Sequence, residues 1–173
     1  MSWFLFLLTV ATANEKLAVL QTETVDVDPQ NAATFNEVIS TEAANTGLYD
    51  VISARDVQAT VGHTITQQQL GCDDSACFAE IGGALDAGLL LVSRVSMMDD
   101  VYVVSLKLIS VETMQTTKRI YRKVRASMDG LLGTLRASVY ELMELEAPAK
   151  LEIYTQDDGS LKGRVREANN AGG

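Results

Sequence analysis

Few residues in this chain carry the side chains that catalysis or metal binding needs. There are two cysteines, Cys72 and Cys77, and one histidine, His63. The cysteines stand as C-x4-C, not as the C-x2-C of zinc sites and dithiol enzymes. At this spacing they close a small loop in an oxidising compartment. A bridge over so short a loop adds about 2 kcal/mol on the loop-entropy model. It would serve to pin the segment GCDDSAC against the helix that follows; two free thiols are the alternative. His63 follows Gly62 in a predicted loop. As a general base it needs an orienting carboxylate and a nucleophile, and the sequence indicates neither. There is no G-x-S-x-G, no G-x-G-x-x-G and no phosphate-binding loop; Gly82-Gly83 alone does not cradle a phosphate. The acidic pairs Asp26/Asp28, Asp73/Asp74, Asp99/Asp100 and Asp157/Asp158 fall in predicted turns, where turn chemistry accounts for them. A calcium loop requires oxygens at alternating positions and a closing Glu, which Asp157-x-Gly159-x-Leu161 does not supply. No catalytic residue, metal or cofactor is therefore assigned, and the chain reads as a non-enzyme.

One segment is chemically distinctive. Lys118, Arg119, Arg122, Lys123 and Arg125 place five of the 14 basic residues within one short run. The remainder holds 9 basic against 23 acidic residues, so charge is strongly polarised. Two readings apply. The run is a docking edge for an acidic partner, an anionic headgroup layer or a glycan polymer, or its charges keep an edge strand from pairing with other copies. Even-numbered and odd-numbered cations both occur, as on a strand open on both sides.

The elements that hold these residues follow from apolar spacing. Residues 16–22, KLAVLQT, read as a first strand. Asp28 before Pro29 is a helix start, a capping carboxylate followed by proline at the first helical position. Phe35, Val38, Ile39 and Ala43 give that helix, over 29–46, one apolar stripe, and Gly47 stops it. Residues 48–53 read as a second strand. A short helix over 54–61 is expected to break at Gly62-His63-Thr64, with 66–70 a further short helix or connector. Residues 75–86 read as a helix bearing Phe78, Ile81 and Leu85, with Gly82 and Gly83 allowing close approach to a sheet. Residues 87–97, 101–111 and 115–125 are three β-rich runs joined by short connectors, a three-stranded antiparallel meander. In the middle run Tyr102, Val104, Leu106 and Leu108 share one face, while Ser105 and Lys107 take the other. Ser127 caps a last long helix, to about Glu146, ahead of Pro148. The expected class is α/β (α+β): a mixed sheet of about five strands, the first parallel with helical crossovers, then the meander, with helices packed on the sheet.

The chain has 173 residues, 47% hydrophobic and 21% charged, with a net charge of −9. That is globular usage for one domain, and its acidity excludes general nucleic-acid binding. Residues 3–10, WFLFLLTV, are too few to span a bilayer and end in Ala11-Thr12-Ala13, an A-x-A cleavage pattern. The reading is a signal peptide over 1–13, cut between Ala13 and Asn14; a buried first strand is the alternative. The domain then spans 14–147. The tail, 148–173, is expected either to pair as a hairpin over 150–154 and 161–165 with a frayed end or to be the start of another module.

The order of elements, carried by LAVLQTE (17–23), LYDVISARDV (48–57) and EIGGALDAGLLLVSRVSMMDDVYVVSLKLISVET (80–113), resembles a family of bacterial envelope modules. It comprises the TolB amino-terminal domain, the soluble domain of the curli-secretion channel protein, and the lipoprotein activators of penicillin-binding proteins. Leu48, Tyr49, Val51, Ile52 and Arg55 match the family's second strand. Ile81, Gly82, Leu85, Ala87 and 89–92 match its helix-to-strand passage. The chain departs at Ser93, where the family has glycine, and at Val111-Glu112-Thr113-Met114, where it has threonine-glycine. The resemblance spans about 16–145 and implies an exported protein, in the periplasm or on the periplasmic face of the outer membrane. It also implies a non-catalytic role in envelope assembly or secretion with envelope-protein partners. The second function it implies is an oligomeric subunit of a secretion or pore assembly, although the long insertion that supplies membrane strands is missing. Peripheral membrane or glycan contact and homo-oligomerisation are further expected properties.

Overall fold

The computed structural model describes residues 14–69, 75–148, 150–155 and 161–166; the signal-peptide reading over 1–13, Cys72, and the acidic pairs Asp73/Asp74 and Asp157/Asp158 lie outside them. The chain begins with β1 (Lys16–Val19), β2 (Glu23–Val25), α1 (Gln30–Asn45), β3 (Asp50–Ile52) and α2 (Ala54–Gln69). It continues with α3 (Ser75–Leu85), β4 (Leu89–Met98), β5 (Val101–Ser110), β6 (Gln115–Arg125) and α4 (Met128–Leu142). β7 (Lys150–Thr155) and β8 (Leu161–Arg166) pair antiparallel as a separate two-stranded sheet.

The main sheet has six strands in the order β3-β1-β4-β5-β6, with β2 also on β4. β1 runs parallel to both β3 and β4, and β4, β5 and β6 form the antiparallel meander. The fold is the mixed α+β class read from the sequence, with one strand more than about five. The extra strand arises because the first extended run breaks after Leu20 and resumes at Glu23, and both pieces lie parallel on β4. At the break, Thr22 and Ser93 share a buried hydroxyl hydrogen bond of 2.8 Å, and the Thr22 N–H donates to Asn36 Oδ1 at 2.7 Å. Ser93, the departure from the family's glycine, thus fills its place in the sheet with a satisfied polar contact.

Alternation in β1 divides the core. Leu17 and Val19 join Leu91, Val104, Leu106 and Leu108 beneath Phe35 and Ile39 of α1 and Leu131, Leu135, Val139 and Leu142 of α4. Ala18 and Leu20 join Leu90 and Ile109 on the other side, under Val57 of α2 and Ile81 and Leu85 of α3. A strand buried on both faces sits at the centre of a three-layer arrangement. α2 and α3 cover only the parallel end of their face. Among the described residues, no helix lies over that face of β5 and β6 beyond it.

The helix termini follow their residues. The Gln30 N–H bonds Asp28 Oδ1 at 2.9 Å, and Gly47 closes α1 at φ +68°. Ser127, with extended backbone, accepts the Gly130 N–H at 3.1 Å. Two expectations are corrected. α2 continues through Gly62 and His63, so His63 lies on a helix and not in a loop. One helical glycine costs only about 1 kcal/mol, and Val57, Val61 and Ile65 keep a four-residue spacing across it. α4 ends at Leu142, not near Glu146. Glu144 adopts φ +59°, its N–H reaching Glu141 O at 3.0 Å and the Leu145 N–H reaching Tyr140 O at 2.8 Å. That is a Schellman ending with a non-glycine residue in the left-handed position.

Candidate interaction surface

β6 places its charges by simple alternation. Its even positions face α4: Ile120 and Val124 pack on the core, and Lys118 pairs with Glu144 at 3.0 Å. Arg122 forms an ion pair with Glu141. Its odd positions, Arg119, Tyr121, Lys123 and Arg125, take the opposite face, away from α1 and α4, and are exposed. The five cations noted in the sequence are therefore two groups. Lys118 and Arg122 tie the strand to a helix, while Arg119, Lys123 and Arg125 face outward and, among the described residues, make no ion pair.

The register adds a residue that sequence reasoning left aside as merely facing the wetter side. Lys107 of β5 stands directly opposite Arg119. Like charges directly opposed across a strand pair destabilise it. Between these cations stands Tyr121, 54% exposed, with the Lys123 ammonium 6.0 Å from its ring centroid. Only the strand register brings Lys107 into the cluster; no local motif announces it.

β6 is also the last strand of its sheet. The Ala126 N–H donates to Asp100 O at 2.7 Å beside the Val101–Arg125 pair. This fixes the phase of the ladder: even residues of β6 bond inward to β5, and 119, 121, 123 and 125 turn their N–H and C=O groups outward. In keeping with this, the Tyr121 carbonyl accepts from the Arg122 guanidinium at 3.0 Å. The residues whose side chains form the open basic face are thus the ones whose N–H and C=O groups line the edge, the Tyr121 carbonyl among them taken by Arg122.

Other polar groups are spent on structure. Arg136 of α4 meets Glu42 of α1 at 3.2 Å with little exposure of either side chain. The Tyr140 hydroxyl beside them is pushed above its ordinary range by burial first and by the Glu42 carboxylate second. Arg94 and Glu23 pair through two hydrogen bonds of 2.7 and 2.6 Å across β4 and β2. Asp99, at φ +53°, makes the β4–β5 turn. Cys77 sits half-buried in the first turn of α3, and Asn14 is exposed ahead of β1. Among the described residues no three His, Cys, Asp or Glu side chains group as metal ligands, and no helix is long and apolar enough to cross a membrane.

No protein-family model matches the chain, and no curated protein matches it either. Solved structures do. The chain is similar to LpoB of E. coli over 64% of its own length and 56% of that chain, at 20% identity and a TM-score of 0.51. It is similar to lipoprotein GNA1162 of Neisseria meningitidis over 75% and 96% of the two chains, at 15% identity and a TM-score of 0.51. It is similar to TolB of Acinetobacter baumannii over 91% of its own length and 37% of that chain, at 10% identity and a TM-score of 0.54. At these identities the likeness is one of fold, and the fold is that of the envelope modules the sequence resembles.

Proposed function

We propose that this chain is a non-catalytic module of the bacterial cell envelope, working by protein–protein contact in assembly or secretion. It docks through the open face and free edge of β6, with Arg119, Lys123 and Arg125 as the partner-binding cations. Lys107 joins them, and Lys118 and Arg122 orient the strand from its other face. The observation that carries this reading is the opposition of Lys107 and Arg119 on an uncovered face. A cost in like-charge repulsion is retained where an anionic partner would relieve it. The fold neighbours support the envelope setting, and the same resemblance supports export to the periplasm.

The test is charge reversal. Arg119→Glu with Lys123→Glu should abolish capture of the envelope partner without lowering the melting temperature, because neither side chain holds the core and the reversal relieves Lys107. Capture that survives the double variant would reduce these cations to guards against pairing between copies. A ring seen by size-exclusion chromatography with light scattering would instead favour the oligomeric secretion subunit.

A further inference from the structure

We infer that the occupant of β6 is an extended acidic segment of a partner protein, which adds to the main sheet as a further strand. This rests on the docking reading above and gives it a ligand chemistry. Side chains on one face of a strand recur every second residue, about 7 Å apart. Arg119, Tyr121, Lys123 and Arg125 follow that period on one face. A strand laid along the edge with carboxylates at alternate positions sets one carboxylate against each of Arg119, Lys123 and Arg125. The same period sets the methylenes of a fourth such side chain against the Tyr121 ring, with its carboxylate beside Lys123. The backbone supplies the second half of the match. The N–H and C=O groups of these four residues point outward, as the Ala126–Asp100 bond fixes, and a new strand bonds to the residues whose side chains it pairs with.

Charge selects among occupants. A second copy's β6 brings the same cations and is repelled. An anionic bilayer meets a chain of net charge −9, whose acidic remainder opposes approach, and the cations form a row along an edge, not a plane. A short acidic strand touches the row alone.

The experiment uses the full chain and two synthetic peptides of one composition. In one, Glu alternates with Val and Thr; in the other the glutamates are contiguous. The alternating peptide should bind at least about tenfold more tightly and should slow amide exchange at Arg119, Tyr121, Lys123 and Arg125. Equal binding of the two peptides, binding of neither, binding without slowed exchange, or displacement of the peptide by vesicles of anionic phospholipid would overturn the inference. If these results go against it while Arg119→Glu/Lys123→Glu still abolishes partner capture, the docking reading stands and only the strand is lost. If capture is indifferent to that variant, the docking reading itself fails.

Discussion

Lys16 at the start of β1 bonds Asp86, just past α3, at 2.7 Å. The hydrogen bond first, and the charge of Lys16 second, hold the Asp86 carboxyl below its usual 3.8. The same contact raises Lys16 above 10.5. The signs give a window. Stabilisation from the lowered carboxyl is present above 3.8 and lost as pH falls through the folded value. Stabilisation from the raised amine is present below 10.5 and lost as pH rises through the folded value. Both groups are solvent-exposed, so the effect is small. Lys16→Met should lower the urea midpoint slightly and by a constant amount across neutral pH, and the gap should close in acid as Asp86 protonates. A gap that widens in acid would contradict this assignment. At the same scale, the cations of β6 were visible as residues, but their division was not. Alternation separates odd from even, and only Glu141 of α4 and Glu144 just past its end decide that the even set is neutralised.

At the scale of elements, α3 offers a matched pair of glycines. A Cβ on Gly82 would lie 2.5 Å from a Val111 Cγ and 3.1 Å from its Cβ, whereas a Cβ on Gly83 meets nothing within 4 Å. Gly82 therefore lets α3 lie on the end of β5, and Gly83 is free of that duty. Gly82→Ala should cost about 1–3 kcal/mol, and Gly83→Ala should gain up to about 1 kcal/mol from helix propensity, both read by chemical denaturation. Equal effects would contradict the packing. The elements were legible where a residue type dictates the backbone. Asp28-Pro29, Gly47 and Ser127 gave three true termini, and the short connectors gave the meander. They were illegible where a residue works against type. Glu144 ends α4 in a conformation usual for glycine, and Gly62 sits inside α2 without ending it. The split of the first run into β1 and β2 depends on pairing with a strand some 70 residues on, which no local pattern records.

For the whole molecule, compartment and asymmetry of charge belong together. If the chain is exported as its first residues suggest, intact mass of protein from a bacterial periplasm should begin at Asn14. It should rise by two hydrogens on reduction, for a Cys72–Cys77 bridge. An uncleaved chain with unchanged mass would remove both proposals together. The proposed docking carries a second prediction: one side of the sheet, and not the acidic remainder, should meet the partner. The most direct test is a photo-crosslinking residue placed at Tyr121 in cells that make the protein, with the same residue at exposed Glu80 on α3 as control. The account predicts a discrete adduct with an envelope protein from position 121, absent from position 80 and lost when Arg119 and Lys123 are reversed to Glu. Equal adducts from both positions, or none from 121, would contradict it.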